Sequence, residues 1–133
     1  MIVRNLEEII GTDRDVRPSS GNWESRRLLL KKDGMGFSLH DTIVHAGSEI
    51  YIWYKNHLEA VYCIEGEGEI ETINDGETYT IKPGVMYALN EHESHYLRGR
   101  TDMRLICVFN PALVGTELHG EDGSYPLPGE EEP

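Results

Sequence analysis

The chain has 133 residues, with 12 Lys and Arg against 24 Asp and Glu, and a formal net charge of −12 at pH 7. That length fits one ordinary domain able to bury its own core. The negative balance repels phosphate backbones and anionic headgroups, so nucleic acid and membrane surfaces are excluded as expected partners. No apolar run approaches the roughly 20 residues of a bilayer span. The first residues carry Glu7 and Glu8 where a secretory leader needs a long apolar stretch, and a cytoplasmic protein is expected. Cys63 and Cys107 sit in apolar runs without CxxC spacing, which predicts buried free thiols rather than a zinc knuckle or redox pair.

In chain order, Asn5 predicts a helix N-cap, with Glu8 as its capping-box partner and Gly11 as the stop, over one or two turns carrying Leu6, Ile9 and Ile10. From Trp23 the period is close to two. Trp23, Ser25, Arg27 and Leu29 share one face, and Ser38, His40, Thr42 and Val44 alternate with Phe37, Leu39, Asp41 and Ile43. Further strands are predicted at Glu49 to Tyr54, Leu58 to Ile64, Glu69 to Ile73, Thr78 to Ile81, His95 to Arg98 and Arg104 to Phe109. Turn signals such as Asn74-Asp75-Gly76 and Pro83-Gly84 separate them. Eight or so short strands without a sequence repeat imply an all-β sandwich or barrel. Glu65, Glu67, Glu69 and Glu71 alternate along one edge and read as a solvated face. The last 17 residues carry a charge of −6, from Glu117, Glu121, Asp122, Glu130, Glu131 and Glu132, around a Gly/Pro-broken stretch. A single domain over 1–120 is expected, followed by an acidic, extended or mobile tail over 121–133 whose removal after Gly120 leaves activity near normal.

Gly47, Trp53, Lys55, Glu59 and Gly66 have the spacing of the first cupin motif, with Trp53 and Lys55 at the two histidine positions. Gly76, Lys82-Pro83-Gly84 and Tyr87 fit the second, with Tyr87 at its histidine position. The longer strings His57-Leu58-Glu59-Ala60-Val61-Tyr62-Cys63-Ile64-Glu65-Gly66-Glu67-Gly68, Gly84-Val85-Met86-Tyr87-Ala88-Leu89, Arg26 to Ser38 and Cys107-Val108-Phe109-Asn110-Pro111-Ala112-Leu113 closely resemble the ectoine synthase family of cupins. The resemblance runs from the first residue to about His119. It implies an all-β, cupin-type double-stranded β-helix with a short N-terminal helix. It also implies a homodimeric, iron-dependent lyase that closes N-γ-acetyl-L-2,4-diaminobutyrate to the compatible solute ectoine with loss of water.

The family's metal ligands fall on Glu59, Tyr87 and His95. One carboxylate, one phenolate and one imidazole form a hard, oxygen-rich set suited to Fe(II). Taken singly, Tyr87 reads as a half-buried core aromatic and His95 as a solvated turn residue. His57 shares strand parity with Glu59 and is a rival ligand, taken here as a support behind the ligands. The resemblance places Trp23, Arg27, His40, Thr42, Cys107 and Phe109 around the substrate and gives Tyr54, Glu117 and His119 to catalysis. Arg27 is expected to hold the substrate carboxylate, and Glu117 or Tyr54 to handle the amine proton. The family usually carries asparagine where this chain has His40. Tyr54 breaks the parity shared by Trp53, Lys55 and Glu59, so a bulge or a reaching side chain is needed there. Two other readings stay open: a cupin dioxygenase or isomerase, whose histidine pair Trp53 and Lys55 would replace, and a non-catalytic ligand-binding cupin.

Overall fold

The computed structural model describes residues 1–127. Its elements are α1 (Leu6–Ile9), β1 (Asp15–Val16), β2 (Trp23–Leu29), β3 (Ser38–Val44), β4 (Glu49–Ile52), β5 (Leu58–Glu65), β6 (Gly68–Thr72), β7 (Thr78–Ile81), β8 (Met86–Leu89), β9 (His95–Gly99) and β10 (Met103–Asn110). They form a six-stranded sheet, β1-β2-β3-β10-β5-β8, and a four-stranded sheet, β4-β9-β6-β7. Asn5 caps α1 alone, its Oδ1 accepting from the Glu7 N–H at 2.9 Å. The predicted return bond from Glu8 is not formed.

Alternation explains the core. Ile50 and Ile52 are buried while Glu49 and Tyr51, which alternate with them, are exposed, and every second residue of β10 from Met103 to Phe109 points inward. The inward sets of the two sheets meet as one cluster, with Val44, Val61, Leu105 and Phe109 facing Ile50, Ile70, Ile81 and Leu97. One predicted face is interrupted. The β2–β3 register runs Arg27↔His40 and then Leu29↔Leu39, so an extra residue on β2 turns Leu29 off the inner face, and Leu30 takes the buried place. Outside the same sheet Arg26 Nη2 and Arg104 Nη2 reach the Asp41 oxygens at 2.5 and 2.7 Å, which covers β2 and β3 on their second face.

The turn leaving β5 depends on two glycines. A Cβ on Gly66, which has φ of +83°, would lie 2.0 Å from the Asp102 carbonyl oxygen, and one on Gly68 would lie 2.2 Å from that of Arg98. Both meet backbone, which has nowhere to move. Gly66→Ala is therefore expected to lower stability by on the order of 3 kcal/mol. Urea unfolding checks this, and an unchanged midpoint would refute it.

The expected tail from residue 121 is corrected by the packing of its first part. Gly120 N–H donates to the Ser124 carbonyl at 2.8 Å, and Trp53 N–H donates to that of Gly123 at 3.0 Å. Asn56 Nδ2 donates to the Tyr125 carbonyl at 3.0 Å, and Lys55 Nζ lies 2.6 Å from Asp122 Oδ2. These ties seat Tyr125, only 4% exposed, in the core. The remainder of the expected acidic tail, 128–133, lies outside the described residues.

Candidate active site

Between the two sheets lies a narrow cavity of about 40 Å³. The six-stranded sheet contributes its polar wall, with Trp23 and Ser25 on β2, Thr42 on β3, Glu59 on β5, Tyr87 on β8, and Cys107 and Phe109 on β10. The other sheet gives only apolar groups, among them Ile50, Ile52 and Leu97. Tyr54, His119 and Tyr125 close it from the connecting segments. Eight of the side chains expected from the sequence, Trp23, Thr42, Tyr54, Glu59, Tyr87, Cys107, Phe109 and His119, thus meet on one surface.

The parity conflict at Tyr54 disappears because β4 ends at Ile52. The inward series Ile50, Ile52, Tyr54 runs on past the strand, and the chain turns before Glu59. Trp53 is half-buried and Lys55 exposed, so the positions that hold histidines in the cupin motif do not face the cavity. Tyr54 Oη is 2.8 Å from His119 Nε2. Tyr125 stacks on both rings, at 4.6 Å from His119 and 5.1 Å from Tyr54. Sequence reasoning missed Tyr125, because a lone aromatic in a Gly/Pro-rich stretch has no periodicity to mark it as buried. Ser25 was missed as a wall residue, although its parity with Trp23 and Arg27 marked it as inward.

Glu59 is buried without a cationic partner, and burial pushes its carboxyl up to about 8. Burial and the neighbouring Glu59 charge hold the Tyr87 phenol well above its ordinary 10. Both groups disfavour ionisation here unless a positive charge joins them. Register makes them near neighbours, since Glu59 pairs with Leu89 and Val61 with Tyr87. His95 enters from the facing sheet at the start of β9. It is fully buried, its Nδ1 is 3.0 Å from the Glu93 carbonyl, and its Nε2 has no hydrogen-bond partner. An orphaned imidazole nitrogen, a buried carboxylate with only the Cys107 thiol against it and a phenol are donors that suit a hard divalent cation. Among the described residues no three His, Cys, Asp or Glu side chains gather to hold an ion, and His95 is not on the cavity wall that Glu59 and Tyr87 line. His57 is also buried with an unpartnered Nδ1. It stands edge-on to Phe109 and Tyr125, at ring distances of 6.1 and 6.3 Å, and is not on the cavity wall.

Three of the residues assigned to substrate or catalysis are placed differently from expectation. His40 does not line the cavity, because its Nδ1 and Nε2 lie 3.0 and 2.9 Å from the Ser25 and Ser38 hydroxyls. Arg27 is fully buried. Its Nη2 donates to the Glu117 carbonyl at 2.8 Å, and its guanidinium sits over the Tyr125 ring at 5.7 Å, one residue behind the wall. Glu117 accepts from the Val114 and Gly115 N–H groups at 2.7 and 2.8 Å. Its carboxylate folds the 111–117 loop and lies 3.7 Å from Arg27 Nη1, off the cavity wall.

Burial, then the Arg27 charge, holds His40 well below its ordinary 6.5, and the same two causes lower His119 to about 3. In the unfolded chain both titrate near 6.5. The native state therefore excludes protons that the unfolded state takes up. The stability these rings contribute is complete above about pH 6.5 and declines as pH falls toward 3. Thermal midpoints measured across that window are expected to drop, and to drop less in His40→Asn. Parallel curves for the two proteins would refute the assignment to His40.

The fold and the cavity at its centre define a cupin. An RmlC-like cupin from Shewanella frigidimarina superposes with a TM-score of 0.60 at 21% identity, over 72% of this chain and 82% of its own. The chain belongs to the ectoine synthase family, whose sequence model matches residues 1–129. L-ectoine synthase of Desulfatibacillum aliphaticivorans is 62% identical over 127 residues, 96% of this chain and 98% of that protein. The crystal structure of ectoine synthase from P. lautus superposes with a TM-score of 0.86 at 65% identity, covering 96% of this chain and 90% of that one.

Proposed function

We propose that this cavity is where the chain acts as an L-ectoine synthase, cyclising N-γ-acetyl-L-2,4-diaminobutyrate to ectoine. The observation that carries the reading is the convergence of Glu59, Tyr87, Tyr54 and His119 on one enclosed, aromatic-walled space, within a chain that matches ectoine synthases over nearly its whole length. In the reaction the substrate's α-amine attacks its own acetamide carbonyl carbon. A C–N bond forms, the oxygen takes up protons and leaves as water, and a cyclic amidine remains. Neither reactant comes from outside, so the protein's first contribution is confinement. Bringing amine and carbonyl to about 3–3.5 Å removes several kcal/mol of barrier.

Glu59, Tyr87 and His95 are the residues that would hold Fe(II). When bound, such an ion supplies Lewis-acid polarisation of a carbonyl oxygen. The Tyr54 hydroxyl and the neutral His119 ring, joined by their hydrogen bond, take the amine proton and return it to the departing oxygen. Trp23, Phe109 and Tyr125 exclude bulk water, which favours a dehydration. Arg27, paired with Glu117, fixes the loop behind the adjoining wall. His57 supports the ligands from behind.

The chain is further proposed to work in the cytoplasm as a homodimer, with the exposed Ile2 and Val3 beside the N-terminal helix as apolar contact surface. Sedimentation at micromolar concentration tests the dimer. The activity is tested with purified chain, Fe(II) and N-γ-acetyl-L-2,4-diaminobutyrate, with ectoine measured by chromatography. Absence of ectoine in the presence of bound iron would overturn the assignment, and oxygen consumption would redirect it to a dioxygenase.

A further inference from the structure

Behind the cavity wall runs a buried hydrogen-bond chain that the reaction does not use. Leu113 N–H donates to Ser38 Oγ at 3.1 Å. Ser38 Oγ lies 2.9 Å from His40 Nε2, and His40 Nδ1 lies 3.0 Å from Ser25 Oγ. Arg27 Nε donates to the same Ser25 oxygen at 3.2 Å. Each hydroxyl has one hydrogen to give, and a neutral imidazole has one N–H and one bare nitrogen. Only two proton arrangements satisfy both serine–histidine contacts.

In the first, Ser25 donates to Nδ1 and Nε2–H donates to Ser38. The Ser38 hydrogen is then left over, on a residue that is 0% exposed and has no further acceptor among the described residues. In the second, Ser38 donates to Nε2 and Nδ1–H donates to Ser25. The leftover hydrogen then belongs to Ser25, which lines the cavity. A stranded buried donor is costly, whereas one facing a ligand space is not.

We infer that His40 is held as the Nδ1–H tautomer and so turns the Ser25 hydroxyl into a donor aimed into the cavity, where it receives a carboxylate oxygen of the substrate. The inference rests on the proposed reading of the cavity as a substrate site. A carboxylate fits because Arg27, two residues along β2, is fully buried, and its Nη1 makes no hydrogen bond, only a 3.7 Å ion pair with a Glu117 carboxylate that two backbone N–H groups already occupy. Two donors into one hydroxyl oxygen also strengthen the bond its hydrogen makes. Ser25 is thus a substrate contact, and His40 and Ser38 are positioning residues. The feature belongs to this chain through His40, since an asparagine at that position has no pair of ring nitrogens to relay between the serines.

The tautomer is read by nitrogen NMR on the full chain labelled in histidine and loaded with a diamagnetic divalent ion. The His40 signals are identified by their loss in His40→Asn. A protonated Nδ1 with a bare Nε2 is expected, and a protonated Nε2 overturns the inference whatever the activity. In turnover assays Ser25→Ala is expected to raise KM about tenfold with a smaller change in kcat. Ser38→Ala, which does not reach the cavity, is expected to follow it. Without the Ser38 donor the ring is free to reverse, and the Ser25 hydrogen turns back to Nδ1. An unchanged KM in Ser25→Ala or Ser38→Ala overturns the substrate contact. Wild-type chain that makes no ectoine overturns it together with the proposed function, while the NMR result still decides the tautomer by itself.

Discussion

Glu59→Ala and Glu59→Gln are both expected to lose ectoine formation and to carry iron at background levels. Glu59 is the only carboxylate of the proposed ligand set, and the phenol and imidazole that remain are weak holders of a hard cation. The glutamine variant also separates loss of the site from loss of the fold. In the ion-free protein the Glu59 carboxyl, pushed up to about 8 by burial, binds a proton more tightly than in the unfolded chain, where its ordinary value is 4.5. Native stability therefore falls as pH rises from about 4.5 through 8, because the native state must give up a proton it prefers to keep. Glutamine removes that penalty. Ion-free Glu59→Gln is expected to melt no lower than ion-free wild type at pH 8, while making no product. Stoichiometric iron in either variant would eliminate Glu59 as a ligand.

Tyr125 gives the second large effect. Its ring touches Tyr54, Phe109 and His119 and lies beneath the Arg27 guanidinium. Truncating a buried aromatic of this kind to alanine costs on the order of 3 kcal/mol. It also opens the cavity to water beside the Tyr54–His119 pair. Tyr125→Ala and truncation after Gly120 are expected to share a fall in thermal midpoint and a loss of turnover. Truncation after Leu127 retains every contact described above and is expected to keep both. Normal turnover after truncation at Gly120 would show that the 121–127 segment plays no part in the reaction.

That segment also shows where sequence reasoning stops. Strands β4, β5, β9 and β10 were legible because one face of each meets the core and the other does not, so buried and less buried residues alternate. β8 was not, since its pattern has only Leu89 fully buried. β1 is two residues long and offers nothing to count. The order of strands in the sheets depends on which distant segments pair, and no local pattern encodes that. At the site, inward parity correctly marked Trp23, Thr42, Glu59, Cys107 and Phe109. The setback of Arg27 and His40 behind the wall was invisible, because parity gives the side of a sheet and not the depth at which a side chain finds its partners. Glu117 was assigned through the family resemblance, and the two backbone N–H groups that its carboxylate accepts from had no sequence signal.

The proposed ligands Glu59, Tyr87 and His95 come from β5, β8 and β9, and the last of these belongs to the other sheet. β5 and β8 pair directly, whereas His95 sits opposite Ile52 and Thr72 on its own sheet. The three donors therefore come together only once both sheets have closed on each other. Such closure waits on pairings between residues far apart in the chain, β10 with β3 above all, and chains dominated by these long-range pairings fold slowly. A partly folded chain in which only β5 and β8 have paired carries at most two of the proposed donors together. On the proposed ligand set, uptake of an ion would be a late event in the life of the polypeptide, and its rate would report the final closing of the barrel.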